Sequence, residues 1–433
     1  MCVEIAMKPK VYFETYGCAL NRADESVMKA ILKDKGYEIV ENPKEADVIV
    51  INTCIVRYDT EVKMIKRLRH LAKLGKKLIV AGCMARALPS HVRRIIKEAI
   101  LLAPQSVSRI HEAIEAPPAS IFIEDEKSLD YIGVVVEGVK AVIAVGEGCI
   151  DECAFCIVKR ARPKLKSIPI ERVVKAVREA ISRGAREIEI TAQDLAVYGI
   201  DLYGRYALVD LLNAILELEY DFKLRIGQLN PRHLIKYVDE IVEVLKDPRV
   251  YKHVHIPLQS GSNKVLSIMN RGSTVEEFIQ IVRELRSKIE GIHIATDIIV
   301  GHPGEDELSF LESVKVIAEY DIDRVHIARY SIRPFTLAAS MPQVPDNIKK
   351  IRSKYIEKVY QLIALSKYLE YVNSYGIAIV TERGLHDNSY IARLFNYIPV
   401  VIKTSNALGK SLLIRIKEAT FYDLRGEVIK EVE

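Results

Sequence analysis

The chain has 433 residues, 49% hydrophobic and 28% charged, with a formal net charge of +5. That composition excludes a disordered or collagenous chain and leaves room for two or three domains with large cores. Seven cysteines at this length are not a disulfide scaffold. The longest apolar stretches fall short of a bilayer span, and Met1 to Lys10 has no apolar leader core. A cytoplasmic protein with no membrane partner is therefore expected. The basic excess suits a nucleic-acid partner but is too mild to argue for one alone.

Residues 10–18 read as a strand ending at Gly17-Cys18, and residues 21–36 as a helix with a glycine stop. Residues 46–54 are a second buried strand. Residues 60–74 form a basic helix carrying Lys63, Lys66, Arg67, Arg69 and Lys73. Residues 77–83 are a third strand, and another helix and a short strand over 99–103 follow. Strand–helix alternation predicts an open parallel α/β sheet, whose strand carboxyl ends share one ligand-binding edge. Three strands ending in cysteine would gather Cys18, Cys54 and Cys83 at that edge. Buried structural cysteines are the plainer reading of each residue alone. Three thiols in one place favour an iron–sulfur cluster with one iron lacking a protein ligand. Cys2 is left without a role.

Residues 140–146 read as a strand leading into Gly148-Cys149-Ile150-Asp151-Glu152-Cys153-Ala154-Phe155-Cys156. Three thiols are one ligand short of a structural zinc site and match a 4Fe–4S cluster with an open fourth iron. A zinc loop completed by a distant His or Cys is the alternative. Strands then recur at 187–193, 223–228, 253–259, 293–300 and 324–330. Helices alternate with them at 170–183, 207–218, 234–245, 275–289 and 306–319. Six strands make a (βα)6 partial barrel with its site at the strand carboxyl ends. Gln193, Asp194, Gln259, Ser260, Asp297, Gly301 and Arg333 are the candidate cofactor or substrate contacts there. Turn chemistry is the alternative for Gly301 and Gly304. His253, His255, His293 and His326 read as packed inside the barrel. Between loop and next helix, residues 159–166 hold five cations in eight positions, either a landing for a polyanion or cofactor carboxylate or a solvated basic loop.

A long helix over 346–372 leads to short strands at 376–382, 388–395, 399–403, 410–419 and 426–431. They predict a small β-barrel of a kind that binds RNA. Its charge is balanced, with eight Lys/Arg against seven Asp/Glu from residue 371 onward. Tyr390, Phe395 and Tyr397 are either base-stacking or core residues.

The CxxxCxxC loop after a first barrel strand resembles the signature of the radical S-adenosylmethionine enzymes. The ordered set Thr15-Tyr-Gly-Cys18-Ala-Leu-Asn21, Asn52-Thr-Cys54, Gly82-Cys83-Met-Ala85, the central loop, Gln259-Ser-Gly-Ser262, Thr296 to Glu305 and Arg333-Pro334 resembles the methylthiotransferase family. Tyr390-Ile-Ala-Arg393, Asn396-Tyr397, Val400 and Gly409-Lys410 resemble its TRAM domain. The resemblance implies a flavodoxin-like N-terminal domain with an auxiliary cluster (1–133), a radical S-adenosylmethionine barrel (134–370) and a TRAM RNA-binding domain (371–433). It implies two 4Fe–4S clusters, on Cys149, Cys153 and Cys156 and on Cys18, Cys54 and Cys83. It also implies S-adenosylmethionine cleaved to a deoxyadenosyl radical, an electron donor and a sulfur donor.

Within the family, residues 153–162 and Ser167-Ile-Pro169 resemble the archaeal and eukaryotic branch. That branch is associated with 2-methylthiolation of N6-threonylcarbamoyladenosine at position 37 of the tRNA anticodon loop. The bacterial branches act on isopentenyl-adenosine or on a ribosomal protein side chain. Two positions depart from the family: Arg162-Pro163 stands where Arg-Gly is common, and Pro334-Phe335-Thr336 where Pro-Gly-Thr is common. An iron–sulfur electron carrier or redox-sensing RNA-binding protein would explain the cysteines and the tail. It would not explain a barrel with polar strand ends.

Overall fold

The computed structural model describes residues 8–128 and 131–432. Cys2 and most of the N-terminal stretch read as lacking a leader lie outside the described residues. The chain divides into two compact units. One comprises Met1–Val135, Ile143–Ile150 and Cys156–Ile168, and the other Val136–Val142, Asp151–Phe155 and Pro169–Glu433.

In the first unit six parallel strands, β1 (Val11–Thr15), β2 (Ile39–Val40), β3 (Val48–Thr53), β4 (Lys77–Gly82), β5 (Ile100–Leu102) and β6 (Ile121–Phe122), lie in the order β2-β1-β3-β4-β5-β6. The first five follow the flavodoxin order. β3 is buried along its whole length, which is why it reads as an apolar run rather than an alternation. Its Ile49 and Ile51 join one core with Met64, Leu68 and Val80. Its Val48 and Val50 join the other with Val11, Ile31 and Ile79. The helices Ala19–Asp34 and Tyr58–Ala72 supply these two opposite cores. On the second helix Lys63, Lys66 and Arg69 remain exposed, while Arg67 pairs with Glu14 at 2.9 Å. The two-residue strands β2 and β6 are too short to leave a periodic signal.

The strands β7 (Val134–Glu137) and β8 (Lys140–Ala144) follow. A short antiparallel pair, β9 (Gly146–Glu147) and β10 (Lys166–Ser167), then closes the segment between them into a loop.

The second unit contains β11 (Glu187–Thr191), β12 (Lys223–Ile226), β13 (His253–His255), β14 (His293–Val300) and β15 (Arg324–Arg329). β11 pairs with β12, and β13, β14 and β15 pair in sequence, all in parallel. Isolated bridges Leu224↔Val250 and Gln228↔His255 join the two groups. Backbone N–H groups of Arg186 and Glu187 donate to Val139 O, which places the start of β8 beside β11. The result is the six-stranded open barrel that alternation predicts. β13 ends four residues earlier than the sequence pattern indicates, since Pro257 has no N–H to continue the ladder. The chain still tracks β14 there: Ile256 N donates to Ala295 O at 2.8 Å and Leu258 N to Thr296 Oγ1 at 3.1 Å.

The helix Asp346–Leu369 leads to β16 (Tyr375–Arg383), β17 (Ser389–Leu394), β18 (Pro399–Lys403), β19 (Ser411–Ala419) and β20 (Leu424–Val432). These close into a barrel in the order β16-β17-β18-β20-β19, around Val380, Ala392, Val400, Ile414 and Leu424. Closure leaves no edge strand for stray pairing. No helix among the described residues is long and apolar enough to cross a membrane.

Low in the open barrel, His253 Nδ1 and His293 Nδ1 share a hydrogen bond of 2.9 Å, and both rings are buried. One nitrogen must carry the proton and the other must lack it. Burial pushes His293 down to about 4 and His253 well below its usual range. Between about 6.5 and 4 the unfolded chain binds protons on these rings that the native chain does not, so stability falls as pH falls through that window. Urea midpoints should decline more steeply there for the native chain than for a His293→Gln variant.

Candidate active site

β1, β3 and β4 are consecutive neighbours whose ends are level, with Thr15 opposite Asn52 and Thr53 opposite Gly82. Cys54 and Cys83 follow β3 and β4 directly, and Cys18 lies three residues beyond β1. Cys54 and Cys83 are buried and Cys18 is exposed. Gly17 has φ +117°, and a Cβ there would stand 2.8 Å from Cys54 Cβ and 3.1 Å from its sulfur. Only glycine lets the chain turn to Cys18 this close to Cys54. Asn21 Nδ2 donates to Tyr16 O at 2.8 Å and Thr53 O at 2.9 Å, binding the ends of β1 and β3 together. Asn21 Oδ1 accepts from Cys83 Sγ at 3.6 Å.

Burial pushes the Cys83 thiol up to about 12. Arg162 opposes that shift, while Cys18 and Cys54 add to it. At three neighbouring, level strand ends the sulfurs would repel one another as thiolates. A metal group that takes them as thiolates removes that cost, so this donor set fits a cluster better than free-thiol chemistry.

Cys149, Cys153 and Cys156 are all half-buried. In the first unit Lys159 Nζ donates to Cys149 O at 2.7 Å. A Cβ on Gly148 (φ +77°) would overlap the Lys164 carbonyl, so the loop doubles back on itself only with glycine there. In the second unit Ala154 N donates to Met269 O at 2.8 Å, and Ala154 O accepts from Ala338 N at 2.9 Å. Arg271, buried, holds Nη1 3.6 Å from Cys153 Sγ and donates from Nη2 to Pro257 O. Asp151 accepts from Asn230 Nδ2 at 2.6 Å, Arg232 Nη1 at 2.8 Å and His233 Nε2 at 3.1 Å. Burial alone would raise its carboxyl, but His233 and Arg232 hold it low.

Of the five cations at 159–166, one is withdrawn from any landing for an anion. Arg162 is buried in ion pairs with Asp24 and Glu147. Lys164 and Lys166 both pair with Glu126, at 3.2 and 3.3 Å. Lys164 and Lys166 share a single carboxylate and Arg160 stays exposed, so the burial of Arg162 is the part that the loop sequence alone cannot show.

In the barrel, register places Asp297 opposite His326, and His255 Nε2 lies 3.1 Å from Asp297 Oδ1. The polar atoms of His255, Asp297 and His326 all lie within 4.8 Å of one another. Burial favours a neutral Asp297, yet the two imidazoles hold it ionised, and burial holds His326 down to about 4. His253 and His293 are packed, as the sequence suggests, but His255 and His326 line this polar face. The signal was the two-residue spacing of His253 and His255, which puts both on one face.

Gln259 (φ +79°) donates its N–H to Asp297 O at 2.8 Å. Gln193 O accepts from Gln228 Nε2. Asp194 Oδ1 accepts from Ala196 N and Asn230 N at 3.0 and 3.1 Å. Its buried Oδ2 has no hydrogen-bond partner among the described residues, and burial raises its pKa. Ser260 is fully buried, with Oγ accepting from Ser262 N and lying 3.4 Å from Ser313 Oγ. Gly301 N donates to Glu305 Oε1 at 2.8 Å. Arg333 is buried, with Nε donating to Ile332 O. Arg271 escaped the sequence reading because it lies 118 residues from Cys153. Phe335 takes φ +65°, keeping the left-handed backbone that suits glycine.

Among the tail aromatics, Tyr390 is in the core. Tyr397 packs against Tyr251 and His253, with ring centroids 4.9 and 5.3 Å away, and lies between Arg225 and Arg393. Phe395 alone of the three stays exposed.

Comparison with known proteins gives three domain matches: Uncharacterized protein family UPF0004 over residues 10–103, the Radical SAM superfamily over 143–317 and the TRAM domain over 370–429. The chain is 37% identical over 430 residues to a "Probable threonylcarbamoyladenosine tRNA methylthiotransferase" of Pyrococcus abyssi, covering 97% of this chain and 99% of the relative. It is 35% identical over 435 residues to the protein of that name in Methanocaldococcus jannaschii, covering 99% of each. It is 31% identical over 438 residues to the human "Threonylcarbamoyladenosine tRNA methylthiotransferase", covering 98% of this chain and 75% of the relative. Among solved structures, the radical S-adenosylmethionine methyltransferase TsrM of Kitasatospora setae superposes with TM-score 0.56 at 14% identity, covering 77% of this chain and 74% of that one. This last likeness concerns the fold.

Anaerobic reconstitution should load roughly eight irons per chain, two four-iron sets. Cys83→Ala and Gly17→Ala should each bring the count to roughly four, read by iron analysis and absorbance. Phe335→Gly should raise unfolding free energy by about 1 kcal/mol, by relieving a left-handed non-glycine residue, as measured by urea denaturation.

Proposed function

The chain belongs to the threonylcarbamoyladenosine tRNA methylthiotransferase family, which it matches over nearly its whole length, and from that premise we propose that it converts N6-threonylcarbamoyladenosine at position 37 of tRNA to its 2-methylthio derivative. It is a radical S-adenosylmethionine enzyme with a TRAM domain. The observation that supports the two-cluster chemistry is the convergence of Cys18, Cys54 and Cys83 at three level strand ends.

In this reading Cys149, Cys153 and Cys156 hold one cluster and Cys18, Cys54 and Cys83 the other. When bound, these groups supply the electron that cleaves S-adenosylmethionine and the sulfur that is delivered. The protein's task is to orient. Asp151, tied to Asn230, Arg232 and His233, fixes the turn between Cys149 and Cys153. Arg271, tied to Pro257 O, holds its guanidinium against the Cys153 sulfur and so orients that ligand. Asp297 presents an ionised acceptor to the adenine edge, with the neutral His326 imidazole and the His255 ring beside it. Gln193, Asp194, Gln259, Ser260, Gly301 and Arg333 surround S-adenosylmethionine and the base at the strand ends.

The small closed barrel holds the tRNA, and the anticodon loop enters the open barrel. Domain divisions near residues 133 and 370 belong to the same reading. So do an electron donor, a sulfur donor and a cytoplasmic setting.

The test is mass spectrometry of nucleosides after anaerobic incubation with tRNA, sulfide, reductant and S-adenosylmethionine. A methylthio product is expected on tRNA carrying threonylcarbamoyladenosine and none on tRNA carrying isopentenyl-adenosine. The opposite pattern overturns the substrate. Neither product, with deoxyadenosine still released, overturns the tRNA adenosine as target.

A further inference from the structure

The most deeply placed cation of the first unit is not where a basic loop would put it. Arg162 is 1% exposed. Its Nη2 pairs with Asp24 and its Nη1 with Glu147, and both carboxylates are buried. Lys127 also pairs with Asp24 and lies 3.4 Å from Glu147, and Gln105 Nε2 donates to Glu147 at 2.9 Å. Two cations face two anions, so the group is neutral as a whole. A neutral buried ion group seldom stabilises a fold more than apolar residues of the same volume would. Some other task for this one is worth seeking, and its surroundings indicate what it is.

Arg162 Nη2 also lies 3.4 Å from Asn21 Oδ1, the same oxygen that accepts from Cys83 Sγ at 3.6 Å. The other end of that amide binds Tyr16 O and Thr53 O, next to Cys18 and Cys54. Arg162 Nε has no hydrogen-bond partner among the described residues. A single amide therefore touches the approach to all three N-terminal cysteines, and a guanidinium six residues beyond Cys156 holds that amide. Resting on the two-cluster reading above, we propose that Arg162 and Asn21 are positioning residues of the Cys18–Cys54–Cys83 site. The guanidinium sets the charge facing Cys83, and Asn21 fixes the three cysteine arms relative to one another.

The expected consequence is electrostatic. A fixed positive charge beside a cluster ligand favours the reduced, more negative state. Taking it away lowers the reduction potential of that cluster. The segment that leaves the central cysteine loop would then tune the other cluster as well.

The test uses the full-length chain with Cys149, Cys153 and Cys156 replaced by alanine, so that only the N-terminal site loads. Its readouts are iron content, the electron paramagnetic resonance spectrum of the reduced form and the midpoint potential. An Arg162→Met, Asp24→Asn double variant removes the guanidinium together with a carboxylate it neutralises, so no lone charge stays buried. Net charge is unchanged, so what is lost is a dipole whose positive end lies toward Asn21 and Cys83 and whose negative end, Asp24, lies behind it; the potential should fall modestly and the spectrum change, whereas Arg162→Lys should keep the potential near that of the parent. Asn21→Ala leaves all four charges in place and should lose iron or change the spectrum. It decides the matter by itself if the double variant fails to fold. Parent-like spectrum, potential and iron in the double variant and in Asn21→Ala, with only thermal stability reduced, would make Arg162 a folding residue and overturn the proposal. A parent that loads no iron overturns the cluster reading and this inference together; indifferent variants in a loaded parent overturn this inference alone.

Discussion

A cysteine sulfur is cheap to bury as a thiol and expensive to bury as a thiolate. Three of them held together need a multivalent cation. The first unit is built around that constraint. A parallel sheet in the flavodoxin order makes β1, β3 and β4 neighbours and ends them level. Apolar cores pack against both faces of that sheet. Gly17 removes the one Cβ that would hold Cys18 away from Cys54. Burial pushes the Cys83 thiol up to about 12, so its thiolate calls for a cationic partner.

Charge is handled differently in the two units. In the first, Asp24, Lys127, Glu147 and Arg162 form a closed group in which burial favours the neutral acid, yet Lys127 and Arg162 keep Glu147 ionised. In the second, polar residues stay open toward the barrel interior, where Asp297 is ionised beside His255 and His326 remains neutral. A closed group positions its neighbours, whereas an open one can meet a ligand. The same contrast separates Asp151, whose carboxylate is tied by three side chains, from Asp194, which keeps one oxygen without a hydrogen-bond partner among the described residues.

Backbone strain follows the same pattern. Gln259 and Phe335 both adopt positive φ, and both follow strands that end at the barrel site. Left-handed backbone at non-glycine residues costs on the order of 1 kcal/mol and persists where the surroundings dictate the turn. At Phe335 the side chain departs from the family's glycine while the backbone is left-handed, a conformation that glycine adopts readily.

The sequence alone determined the longer elements and their kind, because buried parallel strands, amphipathic helices and alternating barrel strands each carry their own period, whereas the two-residue strands carry none. It also determined both cysteine triads, since three thiols at three strand ends and three in eight residues need no coordinates to be noticed. Only tertiary structure decided where charge goes. Arg162 reads as one cation in a solvated run, and its burial depends on Asp24, 138 residues away. Arg271 likewise reaches Cys153 from far along the chain, and Tyr397 reads equally as a base-stacking or a core residue until its packing against Tyr251 and His253 is seen. Periodicity is local and survives in the sequence. Pairing across a hundred residues is set by how the sheets and helices bring the chain back on itself, and no local pattern records it.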